Sequence, residues 1–196
     1  MNKKGLFVVL YGPEGVGKSK QGKMLEEKLV EMGRLVRTVR YPIYDNESGQ
    51  KLDAAIHGKS RPLSEEQMQE LFAKNRAEFE PTLKSWLANG VTVIGENYKG
   101  TGLAWGGVRG IDMERMEEMN QDSLEPDIAI YIDGPKRGDS YPADHPYGDE
   151  DEWYRLRQAY LTLADKHGWV RVQADEPNVV VANRIWAVVR PVVVIR

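Results

Sequence analysis

Five short runs rich in β-branched and aromatic residues constrain this chain more than any other feature: LFVVLYG (6–12), RLVRTVRYP (34–42), VTVIGE (91–96), DIAIYID (127–133) and WVRVQA (169–174). Each is bounded by turn residues and has the length of a buried strand. The segments between them suit helices, expected at 18–32, 48–57, 63–88, 112–121, 152–167 and 177–188. Strands joined by helical crossovers pair in parallel and need helices on both faces of the sheet. The expected architecture is therefore a three-layer α/β/α fold on a five-stranded parallel sheet. A chain of 196 residues, 41% of them hydrophobic, can bury one good core, so one domain is expected over 1–196.

Local signals agree with that parse. Ser64 and Gln67 have capping-box spacing, and Gly90 stops the long third helix just before a strand. Pro81 is expected to kink or split that helix. Residues 138–152 carry two prolines, two glycines and six acids with no Lys or Arg, and read as a mobile surface segment. The end RPVVVIR suggests a docked terminus or a contact surface. No stretch reads as long and apolar enough to span a membrane, and the N-terminal MNKKGLFVVLYG reads as a buried strand rather than a signal peptide.

The formal charge of -3, from 27 basic and 30 acidic residues, gives no general attraction to nucleic acid or to an anionic membrane. Zero cysteines exclude disulfides and thiolate metal sites and fit a reducing, cytoplasmic setting. The histidines His57, His145 and His167 lack ligand spacing, so structural or surface roles are expected. The acids at 149–152 are expected to form a solvated helix start that favours the helix dipole.

The chemistry lies in LYGPEGVGKSKQ (10–21), where Gly12, Gly17, Lys18 and Ser19 satisfy G-x-x-x-x-G-K-[ST] between a strand and a helix. Glycines let the backbone turn tightly and aim its N–H groups at phosphate oxygens, and the helix N-terminus adds a positive dipole end. Gly12, Pro13, Gly15, Val16, Gly17, Lys18, Ser19 and Lys20 are the expected ATP phosphate loop. Lys18 would neutralise phosphate charge and Ser19 would hold Mg2+. No guanine-reading NKxD stretch is found, which disfavours a GTPase.

With these motifs in place the chain resembles the thymidylate kinase family of P-loop nucleoside monophosphate kinases, over almost its whole length. The resemblance implies the P-loop NTPase fold and transfer of the γ-phosphate of ATP to dTMP, giving dTDP and ADP with Mg2+. It places Glu14 on the acceptor sugar hydroxyl and Arg40, in Arg40-Tyr41-Pro42, on the acceptor phosphate. Phe72 would stack on the pyrimidine, and Arg76, one turn later on the same helix face, would meet a base carbonyl. In ENYKGTGLAWGG (96–107), Glu96 would organise the metal, while Tyr98, Thr101, Gly102 and Trp105 would line the acceptor site. Arg109 in GVRGID is expected to face the site. The family also implies a homodimer.

The chain departs from the family at Asn97, where an arginine is expected, and at Gly15, where some members carry one. Arg40 or Arg109 can supply the missing charge. The lid segment, about 134–157, offers Lys136, Arg137, Arg155 and Arg157, and Arg137 is the expected clamp on the transferred phosphate. The expected catalytic set is thus Lys18, Glu96 and Arg137. Two other readings stay open: a kinase for another pyrimidine nucleotide or deoxynucleoside, and a nucleotide-binding protein with weak catalysis.

Overall fold

The computed structural model describes residues 5–58, 63–137 and 150–195. In chain order the elements are β1 (Leu6–Tyr11), α1 (Lys18–Glu31), β2 (Val36–Arg40), α2 (Glu47–His57), α3 (Glu65–Ala88), β3 (Thr92–Glu96), α4 (Lys99–Val108), α5 (Met113–Met119), β4 (Ile128–Asp133), α6 (Glu150–His167), β5 (Val170–Gln173) and α7 (Asn178–Ile195). The strands form one parallel sheet in the order β2-β3-β1-β4-β5. All five expected strands are present.

Alternation along the strands sends successive side chains to opposite faces. Leu6, Val8 and Leu10 join Ile94, Ile130 and Ile132 under α1 and α7, which contribute Leu25, Leu29, Ile185 and Val189. Phe7, Val9 and Tyr11 join Val93 and Tyr131 under α3, α4 and α6, which contribute Leu83, Leu103, Leu156 and Tyr160. Each such side chain, fully buried, contributes about 1.5–3 kcal/mol relative to exposure.

Register fixes the site. Arg40 of β2 pairs with Glu96 of β3, and Glu96 pairs with Leu10 of β1. The carboxyl ends of three neighbouring strands thus stop at one level, where crevices of open α/β sheets bind ligands.

Caps form as expected at α3, where Ser64 Oγ accepts from the Gln67 N–H at 3.2 Å and Gln67 Oε1 accepts from the Ser64 N–H at 2.9 Å. Four expectations are corrected. First, α3 continues unbroken through Pro81; proline removes one backbone bond, and the residues beside it, Glu80 and Leu83, are buried and hold the helix in place. Second, α4 is a helix that the strand and helix pattern did not predict. Third, α7 runs on through Pro191 to Ile195 and is long and apolar enough to cross a membrane. Its Val181, Ala182, Ile185, Val189 and Val193 are buried in the core, while Val179, Val194 and Ile195 are exposed. Fourth, Glu152 in the first turn of α6 is 5% exposed rather than solvated. His145 and most of the acidic run, residues 138–149, lie outside the described residues, and with them much of the expected lid.

Candidate active site

The phosphate loop follows β1 and closes into α1. Gly12, Gly15 and Gly17 have φ of 145°, 85° and 98°, the left-handed region open to glycine, which explains the glycine spacing of the motif. Lys18, buried to 4% exposure, folds its ammonium back into the loop and donates to the carbonyls of Gly12 and Pro13 at 2.9 Å each, and to Glu14 Oε1 at 3.3 Å. Burial pushes the Lys18 pKa down, only partly offset by the Glu14 carboxylate. For Glu14 burial pulls upward, but the charges of Lys18 and Arg40 and the N–H donors of Lys18 and Asn97 outweigh it and hold the carboxyl below its ordinary value.

At the foot of the loop, Ser19 Oγ donates to Glu96 Oε2 at 2.8 Å. This pair brings a hydroxyl and a carboxylate oxygen together beside the loop. Mg2+ keeps most of its shell as water and phosphate oxygens and asks a protein for one or two hard oxygens, so the two residues fit it. Among the described residues no group of three or more His, Cys, Asp or Glu could hold a metal alone.

Beside the loop opens a cavity of about 520 Å³. Of the residues expected to bind an acceptor, Glu14, Arg40, Phe72, Arg76, Thr101, Gly102 and Trp105 all line it, as does Arg109. Arg40 is largely exposed, with Nη2 3.9 Å from Glu14 Oε2. Arg76 is 2% exposed, and Nη2 donates to Asn120 Oδ1 at 2.7 Å. Burial lowers its pKa to about 10, so it stays charged at neutral pH. Thr101 Oγ1 accepts from the Tyr160 hydroxyl at 2.9 Å. Arg109 lies over the Trp105 ring, 5.8 Å from its centre, and its Nη2 meets Glu152 Oε1 at 2.8 Å.

Two expected residues stand elsewhere. Tyr98 is fully buried beneath the cavity, and its hydroxyl donates to Glu80 Oε2 at 3.0 Å; a side chain pointing into the core from the start of α4 cannot touch an acceptor. The Arg137 guanidinium is engaged by other partners: Nη2 donates to the carbonyls of Ala174 and Glu176 at 2.6 and 2.8 Å, and Nη1 to Asn178 Oδ1 at 3.0 Å. The carbonyls of the β5–α7 turn hold it there. Only its backbone N–H reaches the phosphate loop, at Gly15 O, 3.0 Å.

The structure also brings in residues that sequence reasoning missed. Asn75, fully buried, bonds both backbone groups of Ile43, at 2.7 and 2.8 Å, and so fixes the loop that follows Arg40. Its signal was an Asn amid a helical run, directly before Arg76. Gln69 lines the cavity one turn before Phe72, and Trp153 of α6 donates from Nε1 to the Glu14 carbonyl at 2.8 Å. Asn97 takes the left-handed conformation, φ 58°, and points Nδ2 at Glu14 Oε1, 3.4 Å away.

A parallel α/β sheet, a glycine loop clasping a lysine at the end of its first strand, and a charged cavity beside that loop define a phosphate-loop enzyme of the nucleoside monophosphate kinase class. The sequence profile described as thymidylate kinase matches residues 10–185, and the chain belongs to that family. Similar proteins include a thymidylate kinase of Synechococcus sp. (strain JA-3-3Ab), 31% identical over 95% of this chain and 96% of its own. Another is the thymidylate kinase of Arabidopsis thaliana, 29% identical over 95% of this chain and 71% of its own. The thymidylate kinase structure from Candida albicans superposes with a TM-score of 0.79 at 19% identity, covering 96% of this chain and 92% of that one, which is likeness of fold.

Proposed function

We propose that the chain moves the γ-phosphate of ATP to dTMP, forming dTDP and ADP. The observation that carries this reading is the cavity that opens at the phosphate loop and gathers Glu14, Arg40, Phe72, Arg76 and Thr101 on its walls. The loop from Gly12 to Lys20 holds the donor phosphates, and Lys18 neutralises charge on the group in flight. Phe72 and Trp105 supply flat apolar faces for a pyrimidine, Arg76 donates to a base carbonyl, and Glu14 accepts from a sugar hydroxyl. Arg40 and Arg109 lie on the cavity wall, where they supply cationic charge for the acceptor phosphate in place of the arginine missing at 97. Mg2+, held by Ser19 and organised by Glu96, would screen the donor phosphates. An acceptor phosphate is already an anion, so no strong general base is assigned. A homodimer and a cytoplasmic setting belong to the same reading, the first from the family resemblance and the second from the absence of cysteine.

The test is ADP release with Mg-ATP against dTMP, dUMP, dCMP, dGMP, AMP and thymidine. Highest turnover with dTMP is expected; no product with any acceptor overturns the reading. A second reading, nucleotide binding with little transfer, draws on Asn97 and on the engaged guanidinium of Arg137. Tight binding of ATP and dTMP without ADP release would establish it.

A further inference from the structure

We propose that Gln69 is the residue that selects the base of the acceptor, accepting a hydrogen bond from a ring N–H while Arg76 beside it donates to the neighbouring carbonyl. This rests on the reading of the cavity as an acceptor site for a nucleotide. Gln69, Phe72 and Arg76 stand three and four residues apart on α3 and so share one face of the helix. All three line the same cavity.

Gln69 is 5% exposed, and its Oε1 has no hydrogen-bond partner. Arg76 is 2% exposed, and its Nε is likewise without a partner although Nη2 is fixed by Asn120. Folded proteins rarely leave buried polar atoms unsatisfied, because the desolvation cost is then uncompensated. An acceptor and a donor orphaned on one wall of a cavity are what a bound polar edge would satisfy. Both converge on Gly102, where a Cβ would lie 3.1 Å from Arg76 Nη2 and 3.4 Å from Gln69 Oε1. The bare glycine lets both side chains lie against α4 at the cavity wall, where a Cβ would crowd them.

The pattern discriminates by chemistry. Thymine and uracil present a carbonyl at C4 beside an N–H at N3, the complement of a guanidinium beside an amide oxygen. Cytosine presents an amino group beside an unprotonated ring nitrogen, which sets donor against donor at Arg76 and, with the Gln69 amide oriented as it is here, acceptor against acceptor at Gln69. A site built to hydrogen-bond an N–H rejects a ligand lacking it, because its own polar atoms then stay unpaired.

The experiment compares wild type with Gln69→Met, which keeps length without the acceptor, and with Gln69→Glu, which keeps an acceptor oxygen. Calorimetric affinities for dTMP, dUMP and dCMP are measured beside kcat and KM for each and KM for ATP. Gln69→Met is expected to lower kcat/KM for dTMP and dUMP by about ten- to a hundredfold, to leave dCMP and the KM for ATP nearly unchanged, and so to flatten the preference. Gln69→Glu is expected to keep dTMP ahead of dCMP. An unchanged dTMP over dCMP ratio in Gln69→Met overturns the proposal, as does equal loss for all acceptors, or loss of preference in both variants, either of which marks Gln69 as a packing residue. Failure of the kinase reading shows separately, as absence of ADP release. Calorimetry then still decides the base preference: a wild-type protein that binds dCMP as tightly as dTMP sinks the proposal.

Discussion

Arg109 and Glu152 form an ion pair 2.8 Å long between the cavity wall at the end of α4 and the first turn of α6. Glu152 is almost fully buried and Arg109 mostly so, which makes removal of one partner costlier than removal of both. Glu152→Gln is expected to lower stability by about 1–3 kcal/mol, and Arg109→Met with Glu152→Gln to lose less than the sum of the single changes. Urea unfolding of the four proteins checks the cycle; strict additivity would mean the pair is not coupled.

Lys18, the residue proposed to meet the donor phosphates, ties the loop through the Gly12 and Pro13 carbonyls. Lys18→Met is expected to reduce turnover by about 10²–10³, the scale of one lost electrostatic contact to a transition state. ATP affinity should weaken, while far-UV circular dichroism stays that of the wild type. Unaltered turnover would remove the loop from the chemistry.

The left-handed backbone at Asn97 explains why a short amide suits that position. Asparagine visits this conformation with little strain, whereas other side chains pay about 1–2 kcal/mol. Asn97→Ala is expected to destabilise by about 1 kcal/mol and Asn97→Gly by less. Melting temperatures rank the three, and an alanine variant as stable as the glycine one would contradict the argument.

Asp133, fully buried at the end of β4, accepts from Arg157 Nε at 2.7 Å and from Arg171 Nη2 at 2.5 Å. Burial raises its pKa, but the hydrogen bonds and charges of the two arginines outweigh that and hold it below the ordinary aspartate value. A depressed carboxylate stabilises the fold fully above its unfolded value and loses that contribution as pH falls through the folded value. Stability from this cluster is therefore expected to be constant near neutral pH and to decline only below about pH 4. Both arginines are partly exposed, so Asp133→Asn is expected to cost about 1–3 kcal/mol at pH 7 and to flatten the acid limb of the stability curve. Denaturant midpoints between pH 2 and 7 would show both effects.

The strands were legible because each is short, β-branched and bounded by turns, and all five appear within two residues of expectation at their starts and ends. Helix α4 was not, because KGTGLAWGGV carries four glycines and propensity argues against a helix. Packing decides there: a Cβ at Gly106 would lie 2.4 Å from Met116 Sδ, and one at Gly100 would lie 2.5 Å from the Trp169 ring. The glycines are the surface onto which neighbours close. Phe72 and Arg76 were named through the family resemblance, since alone they read as a core Phe beside a solvated Arg; Gln69 continues the same stripe, but a polar residue on an amphipathic helix reads first as solvated. Glu152 was hidden in an acidic run, because its burial depends on Arg109, 43 residues away in sequence. Arg137 looked free to swing over the phosphates because nothing local marks the carbonyls of the β5–α7 turn as its partners.

Adjacent residues of α6 reach the two halves of the site: Glu152 grips Arg109 on the cavity wall, and Trp153 grips the Glu14 carbonyl in the phosphate loop. One helical turn therefore ties the cavity wall to the phosphate loop, so a substitution that displaces that turn is expected to disturb both contacts at once.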